Sequence, residues 1–405
     1  MTISFCKTKN LANVIKVDLA LLLIAFVILF FLDPGHFQLN LFFHRGADLF
    51  ADFFNHISYV ADRNPYFSQF LASADHNGPP LYYLFAYFFK FAADYPSKLD
   101  VLWSSPEAMA SAIAYMLFSE TVLFYFLYKL ANREKKEYTI LPLLFFSGIN
   151  LAAIERGTTV IFTAGCIAGF IYLYEQPERK KQILSLLLLS LAAALKIYPA
   201  LFGLLLLKKR DFTGIAICII ATAAMGFLPL LFFEHQFGNI PKIFDNLACY
   251  RSEYRYSAAD KDIAGILCKL FSLSKPAAFK TVDIFHILLD VAVISSCIKS
   301  FFSNSKEKLL LSTAGVLILC PIGAMRYTQL YLFPVFLLFL ERIKKSYTQT
   351  DILSAFCYIV LLTPLQFEYI SPYTHITFLP LLIITTAFTC SDSKKNQQIG
   401  ATSNG

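Results

Sequence analysis

Charge is scarce in this chain. Only 16% of its 405 residues are Asp, Glu, Lys or Arg, against roughly 25% in a soluble domain. Absent as well are the phosphate-cradling GxGxxG and Walker loops, the HExxH zinc motif and any CxxC pair. Without them there is no basis for a nucleotide-dependent enzyme, a zinc hydrolase or a metal ribbon. No soluble domain, low-complexity linker or internal repeat is visible, and no cleavable signal peptide is expected. The formal charge is +7, but the Lys and Arg residues fall in short clusters between apolar runs. That pattern is not a nucleic-acid footprint. The nine cysteines sit mostly inside apolar segments and read as small buried hydrophobes, with Cys249 and Cys268 the two that could lie outside the membrane.

What is present is hydrophobic length. Of the residues, 57% are hydrophobic, and mean hydropathy is +0.57. Apolar runs recur at 14–32, 107–128, 138–154, 158–174, 183–195, 197–207, 212–233, 281–302, 309–321, 328–340, 351–366 and 374–390. A spanning helix needs about 20 apolar residues, and shorter broken ones occur where they line a cavity. The expected fold is an all-α polytopic membrane protein of about 12 transmembrane helices, in the range 10–13, with loop helices on the outer face. With the N-terminus inside, the clusters KLANREKKE, PERKK, LKKRD, SNSKEK and ERIKK all fall on the cytoplasmic side. Both termini are then cytoplasmic, in a cell inner (plasma) membrane. Residues 1–405 read as one domain with two large outer loops, 33–106 and 234–280. The run 183–207 is too short for two full crossings, so its ALKIYP centre should be a turn between two short helices. Residues 79–93 read as an interfacial or re-entrant helix, and 262–274 are ambiguous.

Polar residues gather on the outer side: Asp48, Asp52, Asn55, Arg63, Glu155-Arg156-Gly157, Lys196-Ile197-Tyr198-Pro199, Arg251, Arg255, Arg326-Tyr327 and His375. A carboxylate there can take the proton of an attacking hydroxyl. Arg and Lys can hold a departing phosphate. Nucleotide sugars are not available outside the cytoplasm, so a glycosyl donor would be a lipid phosphate. The plainer readings are a helix cap for Asp52, snorkelling cations for Arg156 and Lys196, loop-shaping for Asn55 and Arg63, and a structural His375.

Three stretches carry a resemblance: DFFNHISYVADRNPYFSQF…NGPPLYYL, IERGTTVIFTAG and ALKIYPALFGLLLLKKRDF. Together they resemble the polyprenol-phosphate-mannose-dependent α-mannosyltransferases of glycosyltransferase family 87, membrane enzymes of GT-C type. The resemblance implies inverting transfer of a hexose, mannose by default, from a polyprenyl-phosphate sugar to a hydroxyl of a glycolipid or glycan acceptor. It implies a first-loop Asp as general base. Asp52 matches best, and Asp48, four residues earlier and on the same helical face, is the alternative. Arg156, Lys196, Arg326 and Tyr198 are the expected donor-phosphate residues, and Asn55, Tyr66 and His375 the expected substrate contacts. No cofactor and no metal are expected; the partners are the donor, the acceptor and membrane lipids, with no nucleic acid. Asn77-Gly78 stands where the family often has Tyr before Pro-Pro, and Thr158 where Asn commonly follows Arg-Gly. Both departures bear on substrate identity more than on reaction type. The competing readings are a lipid-linked glycan flippase or transporter and an O-antigen-ligase-like enzyme.

Overall fold

Helices supply every regular element among the described residues. The computed structural model describes residues 10–32, 49–70, 76–91, 93–132, 137–259, 275–321, 326–344, 347–364 and 378–390. In chain order the helices are α1 (Asn10–Leu32), α2 (Ala51–Val60), α3 (Pro80–Tyr87), α4 (Leu99–Ser104), α5 (Pro106–Ala131), α6 (Leu141–Phe145), α7 (Gly148–Arg156) and α8 (Val160–Leu173). After α9 (Arg179–Leu195), a 3-10 turn at Tyr198–Gly203 runs into α10 (Leu204–Lys208), followed by α11 (Phe212–Phe227), α12 (Asn239–Ala259), α13 (Lys275–Phe302) and α14 (Lys306–Leu319). Another 3-10 turn, Arg326–Tyr331, leads into α15 (Leu332–Ile343), then α16 (Gln349–Leu362) and α17 (Phe378–Cys390).

The described residues of the twelve apolar runs lie mostly on helix, but the helices differ in length. Among the described residues, Leu11–Leu29, Pro106–Ala131 and Phe212–Phe232 are long and apolar enough to cross a membrane. A fourth crossing results if Tyr138–Phe145 and Gly148–Arg156, bent by 52°, form one broken span. Val160–Leu173, Tyr198–Lys208 and Gln349–Leu362 are apolar but shorter. At 1.5 Å per residue, 14 residues reach about 21 Å, short of the ~30 Å hydrocarbon layer.

The bend has a local cause. Ser147 caps α7 by accepting from the Asn150 N–H at 3.4 Å and donates its own hydroxyl proton to the Leu144 carbonyl at 2.7 Å. The side chain closes one helix and opens the next. The centre of the bundle is α8, buried without interruption from Val160 to Ile171 and packed against α5 and α9. A Cβ at Gly165 would sit 2.8 Å from the Leu123 amide nitrogen, so only glycine lets α5 and α8 approach this closely. One contiguous hydrophobic core reaches from Ala12 to Ile384.

The ALKIYP expectation is met by a break at Lys196. Its backbone is extended (φ −145°, ψ 122°), and the chain restarts as a 3-10 turn packed back against α9. Pro199 has no N–H to donate to the Leu195 carbonyl and its ring would clash with that carbonyl in a continuing helix, so α9 ends before it.

Candidate active site

The first loop is pinned to the end of α7. Gly157 caps that helix in the left-handed region (φ 65°), where a side chain is strained. A Cβ there would also lie 3.0 Å from the Phe50 Cα, because the first loop packs directly on this glycine. The Phe50 N–H donates to the Glu155 carbonyl at 2.6 Å, and Trp103 Nε1–H donates to the Leu49 carbonyl at 2.8 Å. These contacts fix where α2 starts, and hence where its first-turn carboxylate points.

That carboxylate is Asp52. Its Oδ1 accepts from Arg156 Nη2 at 2.6 Å, with the two side chains 15% and 32% exposed. Burial raises the cost of ionising Asp52, yet the nearby cations outweigh it and hold the carboxyl below its ordinary range. Arg156 is the larger contributor and Lys196 a further one. His56, one turn along α2, adds no charge near neutral pH. Burial pushes its pKa down to about 4, against the favourable hydrogen bond and charge of Asp52. A neutral imidazole with its proton on Nδ1 can donate to the Asp52 carbonyl oxygen, the contact observed. The His56 ring lies 4.1 Å from the Tyr82 ring, with Tyr82 Oη 3.1 Å from His56 Nδ1.

Lys196 reaches the group from the α9 break. Its Nζ sits 4.8 Å from the centroid of the Tyr82 ring, and no carboxylate pairs with it among the described residues. Among the described residues, the site thus pairs Arg156 with Asp52 and sets Lys196 beside them with an aromatic face as its close partner. Around it stand hydroxyls within electrostatic reach of Asp52: Tyr82, Tyr115, Tyr198 and Tyr327. Tyr115 shares a 2.6 Å hydrogen bond with Thr159 Oγ1, and Tyr331 one with Thr163 Oγ1 at the same distance. Tyr198 packs edge-on against Tyr331 at 6.1 Å. The net positive charge suits an anion, and the carboxylate beside it suits proton abstraction.

Of the residues singled out in sequence, the fold brings Asp52, Arg156, Lys196 and Tyr198 together. Asn55 lies on α2, partly buried, without a hydrogen bond to Asp52, Arg156 or Lys196 among the described residues. Tyr66 belongs to a separate small core with Tyr59, Val60, Tyr83, Leu230 and Phe233, and its hydroxyl donates to the Gly78 carbonyl at 3.1 Å. Arg63 shapes the loop: its Nε–H donates to the Phe232 carbonyl at 2.7 Å and its guanidinium stacks on that ring. Asp48 and His375 lie outside the described residues, as does the side chain of Arg326, although its 3-10 turn delivers Tyr327 to the site. Sequence reasoning missed His56 and Tyr82. The first carries a signal in its spacing, four residues after Asp52 on one helical face. The second is one of 22 tyrosines and carries none. Among the described residues, no three or more His, Cys, Asp or Glu side chains converge where a metal ion could sit.

The profile of glycosyltransferase family 87 matches residues 78–322, which is 245 of the 405 residues. The chain belongs to glycosyltransferase family 87. It is therefore a glycosyltransferase, and its apolar helices agree with a membrane protein. No curated protein and no solved structure matches the chain. The family 87 segment contains Tyr82, Arg156 and Lys196, while Asp52 precedes it. The ion pair with Arg156 is thus what ties Asp52 to the family's own segment.

Proposed function

We propose that the protein transfers a hexose, with mannose the first choice, from a polyprenyl-phosphate sugar to a hydroxyl of a glycolipid or glycan acceptor. On this reading the reaction takes place at the outer face of an inner (plasma) membrane, in a single-domain bundle of about twelve crossings with both termini cytoplasmic. The observation that carries the proposal is the Asp52–Arg156 pair with Lys196 beside it, which no carboxylate pairs among the described residues.

Asp52 takes the proton of the acceptor hydroxyl as that oxygen bonds to the anomeric carbon. The bond from this carbon to the phosphate oxygen breaks, and its electron pair leaves with the polyprenyl phosphate. A single displacement from the opposite face inverts the anomeric centre. Arg156 and Lys196 stabilise the charge that grows on the leaving phosphate, with Tyr198 and Arg326 supporting the same end. Asn55, Tyr66 and His375 stand as candidates for substrate contact, and Asp48 as the alternative base.

The resting ion pair makes Asp52 a weak base, and the donor corrects this. Once Arg156 turns to the phosphate, Asp52 loses its counter-ion while remaining buried, and burial then raises its basicity. The test is Asp52→Asn in membranes supplied with radiolabelled polyprenyl-phosphate mannose and lipid extract. Transfer should fall by about 10² to 10⁴ while the protein still inserts. Full activity in that variant would remove Asp52 from the base role.

A further inference from the structure

Lys196 is held in an unusual way. An ammonium in this partly buried position would ordinarily be matched by a carboxylate, yet its close partner is the face of Tyr82 at 4.8 Å. The Tyr82 ring is itself clamped. It is 2% exposed, it packs on His56 at 4.1 Å, and it stacks beside Tyr83 with ring centroids 6.1 Å apart. Gly78 closes the remaining space: a Cβ there would lie 3.1 Å from Tyr82 Cδ1. Pro79 and Pro80 start α3 just before the ring and fix its backbone.

An aromatic face does something for a cation that a carboxylate cannot. It attracts the ammonium through the ring quadrupole without consuming any N–H donor and without neutralising the charge. Lys196 then keeps its three N–H donors for an incoming anion. His56, uncharged near neutral pH, does not repel it.

We infer that Tyr82 is the positioning residue for Lys196, its ring face presenting the ammonium to the phosphate of the donor. This rests on the donor reading given above and deepens it, since Tyr82 then governs affinity for the anionic end of the donor and not for the sugar. The role is electrostatic, so it is separable from packing.

The test is binding of radiolabelled polyprenyl-phosphate mannose to the full-length protein in lipid nanodiscs. Position 82 carries Phe and then phenylalanines with one, two and three ring fluorines, which keep the shape and progressively weaken the quadrupole. The dissociation constant should rise stepwise, by about tenfold across the series, in the wild-type background and in Asp52→Asn alike. In a Lys196→Gln background the same series should be flat. Binding with no fluorine dependence in the wild-type background overturns the inference and leaves the donor reading standing. Fluorine dependence that persists without Lys196 also overturns it. Failure of the wild-type protein to bind the probe overturns the donor reading and the inference together.

Discussion

Two clusters of charge mark the two ends of α15. One is the Asp52 group, reached through the Tyr327 turn that precedes this helix. The other surrounds Arg342 in its last turn. The twelve residues of α15 between them rise about 18 Å. At the far cluster Arg342 meets two carboxylates. Arg342 donates to Glu307 at 2.6 Å and to Asp351 at 2.5 Å, and Asp351 also accepts from the Thr348 N–H at 2.6 Å in a capping box. Lys306 pairs with Glu175, and Lys208 Nζ donates to the Ser303 carbonyl at 2.5 Å, closing the end of α13. These groups fasten helix termini to one another. The Asp52 group is built the other way: among the described residues, Lys196 meets a ring in place of a carboxylate. A closed network stabilises the protein; a network left open by one charge is suited to a ligand.

The sharpest way to break this contrast is to remove one arginine from each end. Arg342→Met strands Glu307 and Asp351, which are 8% and 0% exposed, as unpaired buried carboxylates. Stability should fall by about 3–5 kcal/mol, read as an earlier denaturation midpoint in detergent, while protein that remains folded keeps its transferase activity. A variant as stable as the wild type would show that the far cluster fastens nothing.

Arg156→Gln should behave in the opposite way. Its side chain is as exposed as that of Arg342, but it pairs with one carboxylate that is 15% exposed rather than with two more deeply buried ones, so its loss should cost less stability, about 1–3 kcal/mol. Transfer should drop about a hundredfold, as for loss of one donor to a developing anion. Equal losses of stability at the two positions, or a larger loss at Arg156, would erase the distinction between the clusters.

The unequal legibility of the site follows from the same physics. Arg156 and Lys196 were readable because a charge bordering an apolar run is costly and calls for a reason. Gly157 was readable as part of the same Arg-Gly element, and the structure supplies its cause in a left-handed cap against Phe50. Tyr82 was not readable. In a chain with 22 Tyr and 42 Phe, nothing in sequence separates a ring that holds an ammonium from one that anchors a helix. Tyr66 shows the same ambiguity: the family resemblance implied a substrate contact, and the fold places it in a small core with Tyr83 and Phe233. The helices of the apolar runs were legible from hydropathy alone, whereas α2, α4 and α12 lie in the stretches read as outer loops. The helix lengths were not legible, since Ser147 bends α6 from α7 and Pro199 ends α9 through local geometry that no hydropathy window senses.

The smallest effect concerns His56 and tests whether its ring is neutral beside Asp52. Its folded pKa is about 4, against 6.5 for the free group. Above the free value neither state carries the proton, and His56 adds nothing to the pH dependence. Between 6.5 and about 4 the unfolded chain binds a proton that the native protein refuses, so stability falls by about 1.4 kcal/mol per pH unit. Below that window both states are protonated and the loss levels off. Acidification from pH 7 to pH 5.5 should therefore destabilise the wild type by about 1.4 kcal/mol more than His56→Gln, whose side chain keeps a donor for the Asp52 carbonyl. The measurement is the denaturation midpoint of each protein at the two pH values. Parallel shifts would mean that native His56 accepts the proton and stands as an imidazolium against Asp52. The site would then hold three cations in acid, and its hold on an anionic donor would tighten as the pH falls.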